Sequence, residues 1–114
     1  MPRTVQWQTG KKITPETRIK REIKQGLSYT GWFCFHVLQG MGAHKGIPDM
    51  IATKKGITLF IEVKSPKGKQ SPHQVEFQRQ IEGVGGNYIV ARNFDDVYTV
   101  IQRITGQTGK ERLF

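Results

Sequence analysis

Two stretches decide how this chain folds: Gly46-Ile47-Pro48-Asp49 and Ile61-Glu62-Val63-Lys64-Ser65-Pro66. Between them lies the dipeptide Lys55-Gly56, which is typical of a tight turn. The residues on either side are rich in branched and aromatic side chains, as strands are. The sequence therefore predicts a β-hairpin, with one strand over 48–54 and its partner over 57–64.

The pairing of this hairpin brings three charged side chains together. A two-residue loop at the turn places Asp49 directly opposite Glu62. Lys64 lies two residues after Glu62, so both side chains point to the same face of the strand. Facing carboxylates repel each other, and such a pair is retained mainly where a cation or a proton relieves the repulsion. The alternative is a cross-strand salt-bridge cluster without chemistry.

Length and composition predict one intracellular, nucleic-acid-binding domain. The chain has 114 residues, and its formal charge of +9 comes from 18 Lys and Arg against 9 Asp and Glu. Such an excess favours a polyanionic partner, nucleic acid before membrane, although it also serves solubility. We see no membrane span and no signal peptide, and Cys34 in an apolar strand pattern is expected to be buried. We expect a cytoplasmic protein with a single domain over 1–114.

The first helix is predicted by its cap and by its apolar stripe. Thr14 can cap it, Pro15 suits its first turn, and the apolar residues Ile19, Ile23 and Leu27 recur every four positions. The basic residues Arg18, Arg21 and Lys24, with Lys20 at the edge, make up its expected wet face.

The remaining elements complete an α/β fold with the order α-β-β-β-α-β-α. We predict a strand over 32–38, a helix that Ser71 caps, a strand over 88–91, and a last helix that Asn93 caps. A strand that reaches the next strand through a helix implies a parallel crossover, whereas the hairpin is antiparallel. The result is a mixed central sheet flanked by helices. Residues 1–12 are a possible arm, and 106–114 a basic tail.

The motif around the carboxylates resembles that of the VRR-NUC (virus-type replication-repair nuclease) family, part of the PD-(D/E)xK nuclease superfamily. The resemblance covers nearly the whole chain, from Glu16 to Ile104, and adds Ser65-Pro66, Gly68 and Gln74 to the core pattern of Asp49 and Glu62-x-Lys64. It implies a restriction-endonuclease-like core, in agreement with the element order. A phage or prophage replication-repair setting is what the resemblance suggests.

The resemblance implies a metal-dependent nuclease site. Hydrolysis of a phosphodiester needs charge neutralisation and an activated water, which a carboxylate-bound Mg²⁺ or Mn²⁺ supplies. Asp49 and Glu62 are the expected ligands, and the Val63 carbonyl is a third as in the family. Lys64 would orient or deprotonate the attacking water, or stabilise the phosphorane. We expect no small-molecule cofactor.

Two further residues are candidates for this site. Gln74 leads the stripe that continues to Phe77 and Ile81, and the resemblance implies an active-site glutamine there, but a capping box with Ser71 also explains it. Glu16 falls on the buried stripe of the first helix, and the family has a glutamate there that supports the metal. The alternative for Glu16 is an ordinary acid in a first helical turn, and the sequence does not decide between Glu16 and Glu22 for that role.

DNA contacts are expected from the loops that flank the hairpin: His44, Lys45, Lys67, Lys69 and His73. His44 and Lys45 either contact the scissile phosphate or are loop residues without a role. No base-reading helix or zinc-finger pattern is visible, so recognition of DNA backbone and shape is expected.

The predicted function is cleavage of branched DNA, with four-way (Holliday) junctions as substrate for a symmetric homodimer, as in the junction resolvases that standalone VRR-NUC proteins resemble. A flap or nonspecific nuclease is the second reading, and a non-catalytic nucleic-acid-binding module is the third. The dimer surface is either the aromatic stretch 32–35 or the C-terminal residues Ile101, Ile104, Leu113 and Phe114.

Overall fold

The elements follow the predicted order. The computed structural model describes residues 13–106 of the chain. Their bounds are α1 Pro15–Tyr29, β1 Phe33–His36, β2 Met50–Lys54, β3 Ile57–Val63, α2 Pro72–Gly83, β4 Asn87–Ala91 and α3 Phe94–Thr105. The predicted arm at 1–12 and residues 107–114 of the predicted tail lie outside the described range.

The four strands form one mixed sheet in the order β1-β2-β3-β4. The first two pairings are antiparallel, and β3 pairs with β4 in parallel, as the crossover through α2 requires. The hairpin register is the predicted one, because Lys54 pairs with Ile57 and Met50 with Ile61. This confirms the restriction-endonuclease-like fold class.

The two faces of the sheet have different partners. One face packs against α1 and α3 and forms the core, whose buried residues include Ile23, Leu27, Met50, Leu59, Ile61, Val63, Ile89, Val97 and Ile101. On the other face lies α2, whose Phe77 ring is 6.2 Å from that of Phe60 and 6.3 Å from that of Tyr88. Each large apolar side chain in the core contributes about 1.5–3 kcal/mol by its burial. The sheet is therefore fixed from both sides.

All three helices begin at the predicted caps. The Thr14 side chain accepts from the Thr17 N–H, and Asn93 accepts from the Asp96 N–H over 2.8 Å. Ser71 and Gln74 form the complete capping box of α2. Each such cap stabilises its helix by about 1 kcal/mol.

Two expectations about exposed surface are corrected. Strand β1 is shorter than 32–38, and Trp32 and Cys34 are buried beneath α1, so only Phe33 and Phe35 of the aromatic stretch are exposed. Ile101 is buried and Ile104 is partly buried against the core, because the apolar side of α3 covers the sheet, so the prediction of a dimer surface at these residues is wrong. Leu113 and Phe114 lie outside the described range.

Among residues 13–106, no helix is both long and apolar enough to cross a membrane.

Candidate active site

Asp49 and Glu62 lie side by side at the end of the sheet where β2 begins and β3 ends. Asp49 Oδ2 accepts a hydrogen bond of 2.8 Å from the backbone N–H of Val63, which ties its carboxylate to the residue after Glu62. The Glu62 side chain is 2% exposed and that of Asp49 11%. The predicted meeting of the two carboxylates is therefore present.

Glu62 is a buried acid with a partner at only one of its two carboxylate oxygens within the described residues. Its Oε2 lies 3.3 Å from Lys64 Nζ, but its Oε1 is buried without a hydrogen-bond partner within the described residues. Burial and the neighbouring Asp49 carboxylate raise the pKa of Glu62 from 4.5 to about 7, although Lys64 opposes this shift. Glu62 thus binds its proton more strongly than a solvent-exposed glutamate.

Gln74 closes the capping box and also contacts Glu62, so its cap does not prevent the predicted place at the site. Its Oε1 accepts a hydrogen bond of 2.8 Å from the Ser71 N–H, and its Nε2 donates one of 2.7 Å to Glu62 Oε2. An amide carries donor and acceptor on different atoms, so the two bonds coexist.

A proline lies opposite Val63, the residue whose carbonyl is the predicted third ligand. The β2–β3 pairing ends with Met50 opposite Ile61, and the same register continued by two residues places Pro48 opposite Val63. Proline has no N–H, so it cannot donate the ladder hydrogen bond that the Val63 carbonyl would otherwise receive. Pro48 is itself fully buried. The Val63 carbonyl therefore stays a predicted third oxygen beside the two carboxylates.

These donors suit a hard divalent cation. Magnesium takes oxygen ligands, is held by one or two carboxylates, and keeps several of its waters. Asp49, Glu62 and the Val63 carbonyl are all oxygen donors, and the unpartnered Glu62 Oε1 is a buried polar atom that a cation would satisfy. Among the described residues, no three or more His, Cys, Asp or Glu side chains are grouped so that they could hold a metal ion. Asp49 and Glu62 are therefore the two acidic side chains available as ligands at this site.

The first helix contributes a lysine to the site. Lys20 was expected at the edge of the wet face, but its Nζ lies 3.2 Å from Asp49 Oδ1. Glu16 lies one turn earlier on the same side of α1, although within residues 13–106 no hydrogen bond or ion pair joins it to Asp49 or Glu62. Glu22 lines two other cavities, one of which it shares with Pro66 and Arg92, and the role of Glu16 at the metal stays a prediction.

The turn after Lys64 is held by an arginine. The Gly68 N–H donates to the Ser65 carbonyl over 3.0 Å, and Arg92 Nη1 donates to the carbonyls of Ser65 and Gly68. Arg92 directly follows β4, which runs parallel to β3, so it emerges beside Lys64. The Ser-Pro and Gly of the motif therefore shape a turn that Arg92 supports.

The expected DNA-contacting residues surround this end of the sheet. His44 and Lys45 lie in the loop before Asp49, and the His44 ring packs edge-on against Phe77, with centroids 5.4 Å apart. Gly46 brings that loop against the first turn of α2, where His73 is exposed. Lys67 and Lys69 are exposed in the loop after Lys64. All five positions remain predictions as DNA contacts.

Sequence reasoning missed Lys20, Arg92 and Gln39, whose Nε2 donates to Asp49 Oδ1 over 3.3 Å. Signals for the first two were available. Lys20 is four residues after Glu16, and the parallel register brings Arg92 next to Lys64. Gln39 lies in a glycine-rich loop without periodicity, and no sequence signal marks it.

Comparison with known proteins identifies a nuclease family. A family model of the archaeal Holliday junction resolvase (Hjc) matches residues 15–105. A solved VRR_NUC domain is 27% identical, with a TM-score of 0.67 over 78% of this chain and 96% of its own. The structure of Hjc from Archaeoglobus fulgidus, a Holliday junction resolvase from an archaeal hyperthermophile, is 28% identical, with a TM-score of 0.52 over 66% of this chain and 65% of its own.

A further VRR_NUC domain protein is 23% identical, covers 81% of this chain and 88% of its own with a TM-score of 0.63, and shows the fold alone. No curated protein matches the chain. The family model spans most of the sequence, and the site has the carboxylates and lysine of a PD-(D/E)xK nuclease. The chain therefore belongs to the archaeal Holliday junction resolvase family and is a nuclease of the VRR-NUC type, as the motif predicts.

Proposed function

We propose that this protein is a divalent-metal-dependent endonuclease that hydrolyses phosphodiester bonds in branched DNA, with four-way junctions as its main substrate. The observation that carries the proposal is the Glu62 Oε1 atom, buried and unpartnered beside the Asp49 carboxylate. A buried acid oxygen without a partner is costly, and a bound cation would satisfy it.

Asp49, Glu62 and the Val63 carbonyl would hold Mg²⁺ or Mn²⁺, which when bound neutralises phosphate charge and lowers the pKa of water. Lys64, whose side chain is 13% exposed, would orient or deprotonate the attacking water, or stabilise charge developing on the phosphate oxygens. Gln74 would hold Glu62 in place and hydrogen-bond the water or the phosphate. Glu16 would hold a water at the α1 side of the site.

The DNA would be read by backbone and shape. His44, Lys45, Lys67, Lys69 and His73 would contact phosphates, which position a duplex without reading its sequence. The match to the Hjc family supports the four-way junction as substrate. In the cell, the protein would act in the cytoplasm of a bacterial or phage-infected host.

A symmetric homodimer would match the two-fold symmetry of a junction. Within the described range 13–106, strand β1 is an edge of the sheet, and its Phe33 and Phe35 are 65% and 39% exposed, with ring centroids 5.3 Å apart. An exposed aromatic pair on an open edge is unusual for a monomer. We propose this edge as the surface that a second copy covers.

The test of metal-dependent chemistry uses labelled DNA with Mg²⁺, Mn²⁺ or EDTA. We expect cutting in either metal and none in EDTA. Asp49→Ala and Lys64→Ala should abolish cutting while retaining DNA binding within a few-fold. Cutting that persists in both variants would refute the site, and binding without cutting by the wild type would favour a non-catalytic binding module.

A second measurement separates the substrates. We expect paired, symmetric nicks in a four-way junction and a dimer by light scattering. Preferential cutting of flaps, or equal cutting of every duplex, would assign the same chemistry to a flap or nonspecific nuclease.

A further inference from the structure

A second group of basic side chains borders the site on the α1 side of the sheet. Lys20 lies 3.2 Å from Asp49, and Lys24 follows one helical turn later on the same side of α1. His36 pairs with Met50 across β1 and β2, so its side chain lies on the sheet face that α1 covers. We name Lys20, Lys24 and His36 the edge cluster.

The members of the edge cluster are close enough to act on one another. Burial, Lys24 and Lys20 lower the pKa of His36, whereas Asp49 raises it. Lys24 also lowers the pKa of the Cys34 thiol, against the larger effect of burial. Two lysines and an imidazole therefore share one small surface at the edge of the sheet.

Carboxylates do not balance this charge. Over residues 13–106, the only ion pair between the edge cluster and an acid joins Lys20 to Asp49, and Lys24 pairs with no carboxylate. If Asp49 binds a metal, the metal neutralises much of the carboxylate charge that now pairs with Lys20. Like charges at this spacing are destabilising by themselves, so the arrangement favours an anion.

We propose that the edge cluster binds backbone phosphates of the DNA, and that Lys20 moves from Asp49 to a phosphate oxygen when Asp49 takes up the metal. This inference rests on the proposed function and adds a contact surface to it. The expected contacts at His44, Lys45 and His73 lie on the α2 side of the site, whereas the edge cluster lies on the α1 side. The bound strand would then cross the end of the sheet instead of following one face.

The first test measures DNA binding without hydrolysis, in EDTA, with a labelled four-way junction over a series of salt concentrations. Lys24→Ala and His36→Ala are compared with Arg103→Ala, an exposed residue in the last turn of α3. We expect Lys24→Ala to weaken binding about fivefold to tenfold and to reduce the salt slope by about one, as loss of one phosphate contact does. Arg103→Ala should stay within about twofold of the wild type.

A smaller effect is expected for His36→Ala near neutral pH, because the imidazole is largely uncharged there. Binding by Lys24→Ala that is indistinguishable from that of Arg103→Ala would overturn the inference. Neutral methylphosphonates placed one at a time along the junction identify the phosphate that Lys24 contacts. At that position the replacement should weaken wild-type binding as much as Lys24→Ala does, with no further loss when the two changes are combined. If the two losses add at every position tested, Lys24 contacts none of these phosphates and the inference is contradicted.

The second test concerns Lys20 and uses Mn²⁺ alone, titrated calorimetrically into the protein without DNA. Lys20→Met should bind Mn²⁺ several-fold more tightly, because the cation that competes for Asp49 is gone, and Lys20→Arg should resemble the wild type. Weaker or unchanged Mn²⁺ binding by Lys20→Met would identify the ion pair as purely structural and overturn the exchange.

Failure of this inference can be told from failure of the proposed function. If Lys24→Ala binds like Arg103→Ala while the wild type still cuts DNA with Mg²⁺, only the edge cluster is refuted. If the wild type never cuts, the function is refuted, and the binding measurements in EDTA still decide whether the cluster contacts phosphate.

Discussion

Gln74 joins the start of α2 to the buried carboxylate of Glu62. Its Nε2 donates to Glu62 Oε2 over 2.7 Å, while its Oε1 accepts from the Ser71 backbone over 2.8 Å. The helix start and the acid are thus both contacted by one side chain, through different atoms of its amide.

Substitutions at Ser71 and Gln74 should separate the cap from the site. Ser71→Ala removes the hydroxyl that accepts from the Gln74 N–H, so the free energy of unfolding should fall by about 1 kcal/mol with cleavage nearly unchanged. Gln74→Ala also removes the bond to Glu62 and should lower the free energy of unfolding by about 2 kcal/mol and the cleavage rate about tenfold or more. Urea unfolding and single-turnover cleavage measure the two effects. Equal loss of cleavage in both variants would mean that Gln74 acts only as a cap.

The raised pKa of Glu62 predicts how stability depends on pH. The folded protein binds this proton up to about pH 7, whereas the unfolded chain releases it near 4.5. Because the folded state holds the extra proton, its contribution to stability is complete below pH 4.5 and is lost as the pH rises through about 7. In the absence of divalent metal, the free energy of unfolding should fall over that interval by up to about 3 kcal/mol, since each pKa unit corresponds to about 1.4 kcal/mol.

Glu62→Gln is the matched control for this prediction, since its neutral amide does not titrate. Its stability should change much less between pH 5 and about 8, and the two curves should converge toward low pH. Added Mg²⁺ should stabilise the wild type more at pH 8 than at pH 5, because a cation binds the ionised carboxylate. Parallel stability curves for wild type and Glu62→Gln in EDTA would contradict the assignment.

Much of this fold can be predicted from residues that are close together in the sequence. The Lys55-Gly56 turn fixes the register of β2 against β3, and that register is what brings Asp49 to Glu62. Lys55 has φ of 50° and Gly56 of 83°, the left-handed pair that a two-residue hairpin loop requires. Caps and apolar stripes likewise depend on neighbours within a few residues, so sequence alone could predict them.

The rest of the site depends on contacts that periodicity does not encode. Arg92 reaches the Ser65 carbonyl across 27 positions of the chain, and Lys20 reaches Asp49 from another element. A long cationic side chain on a helix can either extend into water or reach round to an acid, and only the placement of α1 against the sheet decides. The burial of Ile101 could be predicted, because Val97, Ile101 and Ile104 are spaced as one apolar face of a helix, and the structure confirms that this face packs against the core.

Gly46 should be among the least replaceable residues outside the catalytic set. Its φ is +79°, and a Cβ there would lie 2.1 Å from the His73 carbonyl oxygen, which belongs to the backbone of α2. Gly46→Ala should therefore lower the free energy of unfolding by about 3 kcal/mol or more, through strain and collision together. Gly42→Ala is the control, because Gly42 has φ of +90° but no atom near the added Cβ. It should cost about 1 kcal/mol, from backbone strain alone. Equal melting temperatures for the two variants would show that the loop does not press against α2.

Arg92 should affect the rate of cleavage more than the affinity for DNA. Its Nη1 supports the Ser65 and Gly68 carbonyls, and a Cβ added at Gly68 would lie 3.5 Å from Lys64 Cδ, so the turn and the lysine pack together. Arg92→Ala should lower the free energy of unfolding by about 1–2 kcal/mol and the single-turnover rate at saturating DNA about tenfold. Arg92→Lys should recover only part of this, because an ammonium does not reproduce the planar guanidinium fork.

The control is Arg18→Ala, since Arg18 and Arg92 line the same cavity of about 660 Å³ between α1 and the turn. Arg18 is exposed on the helix and makes no bond to the turn among the described residues, so its removal should leave the maximal rate within about twofold, and any effect should be confined to the DNA concentration required for half-maximal rate. Arg92→Ala should show the opposite pattern, with a lower maximal rate and a nearly unchanged concentration dependence. If both variants change only the concentration dependence, Arg92 acts as a DNA contact, and the position of Lys64 does not depend on it.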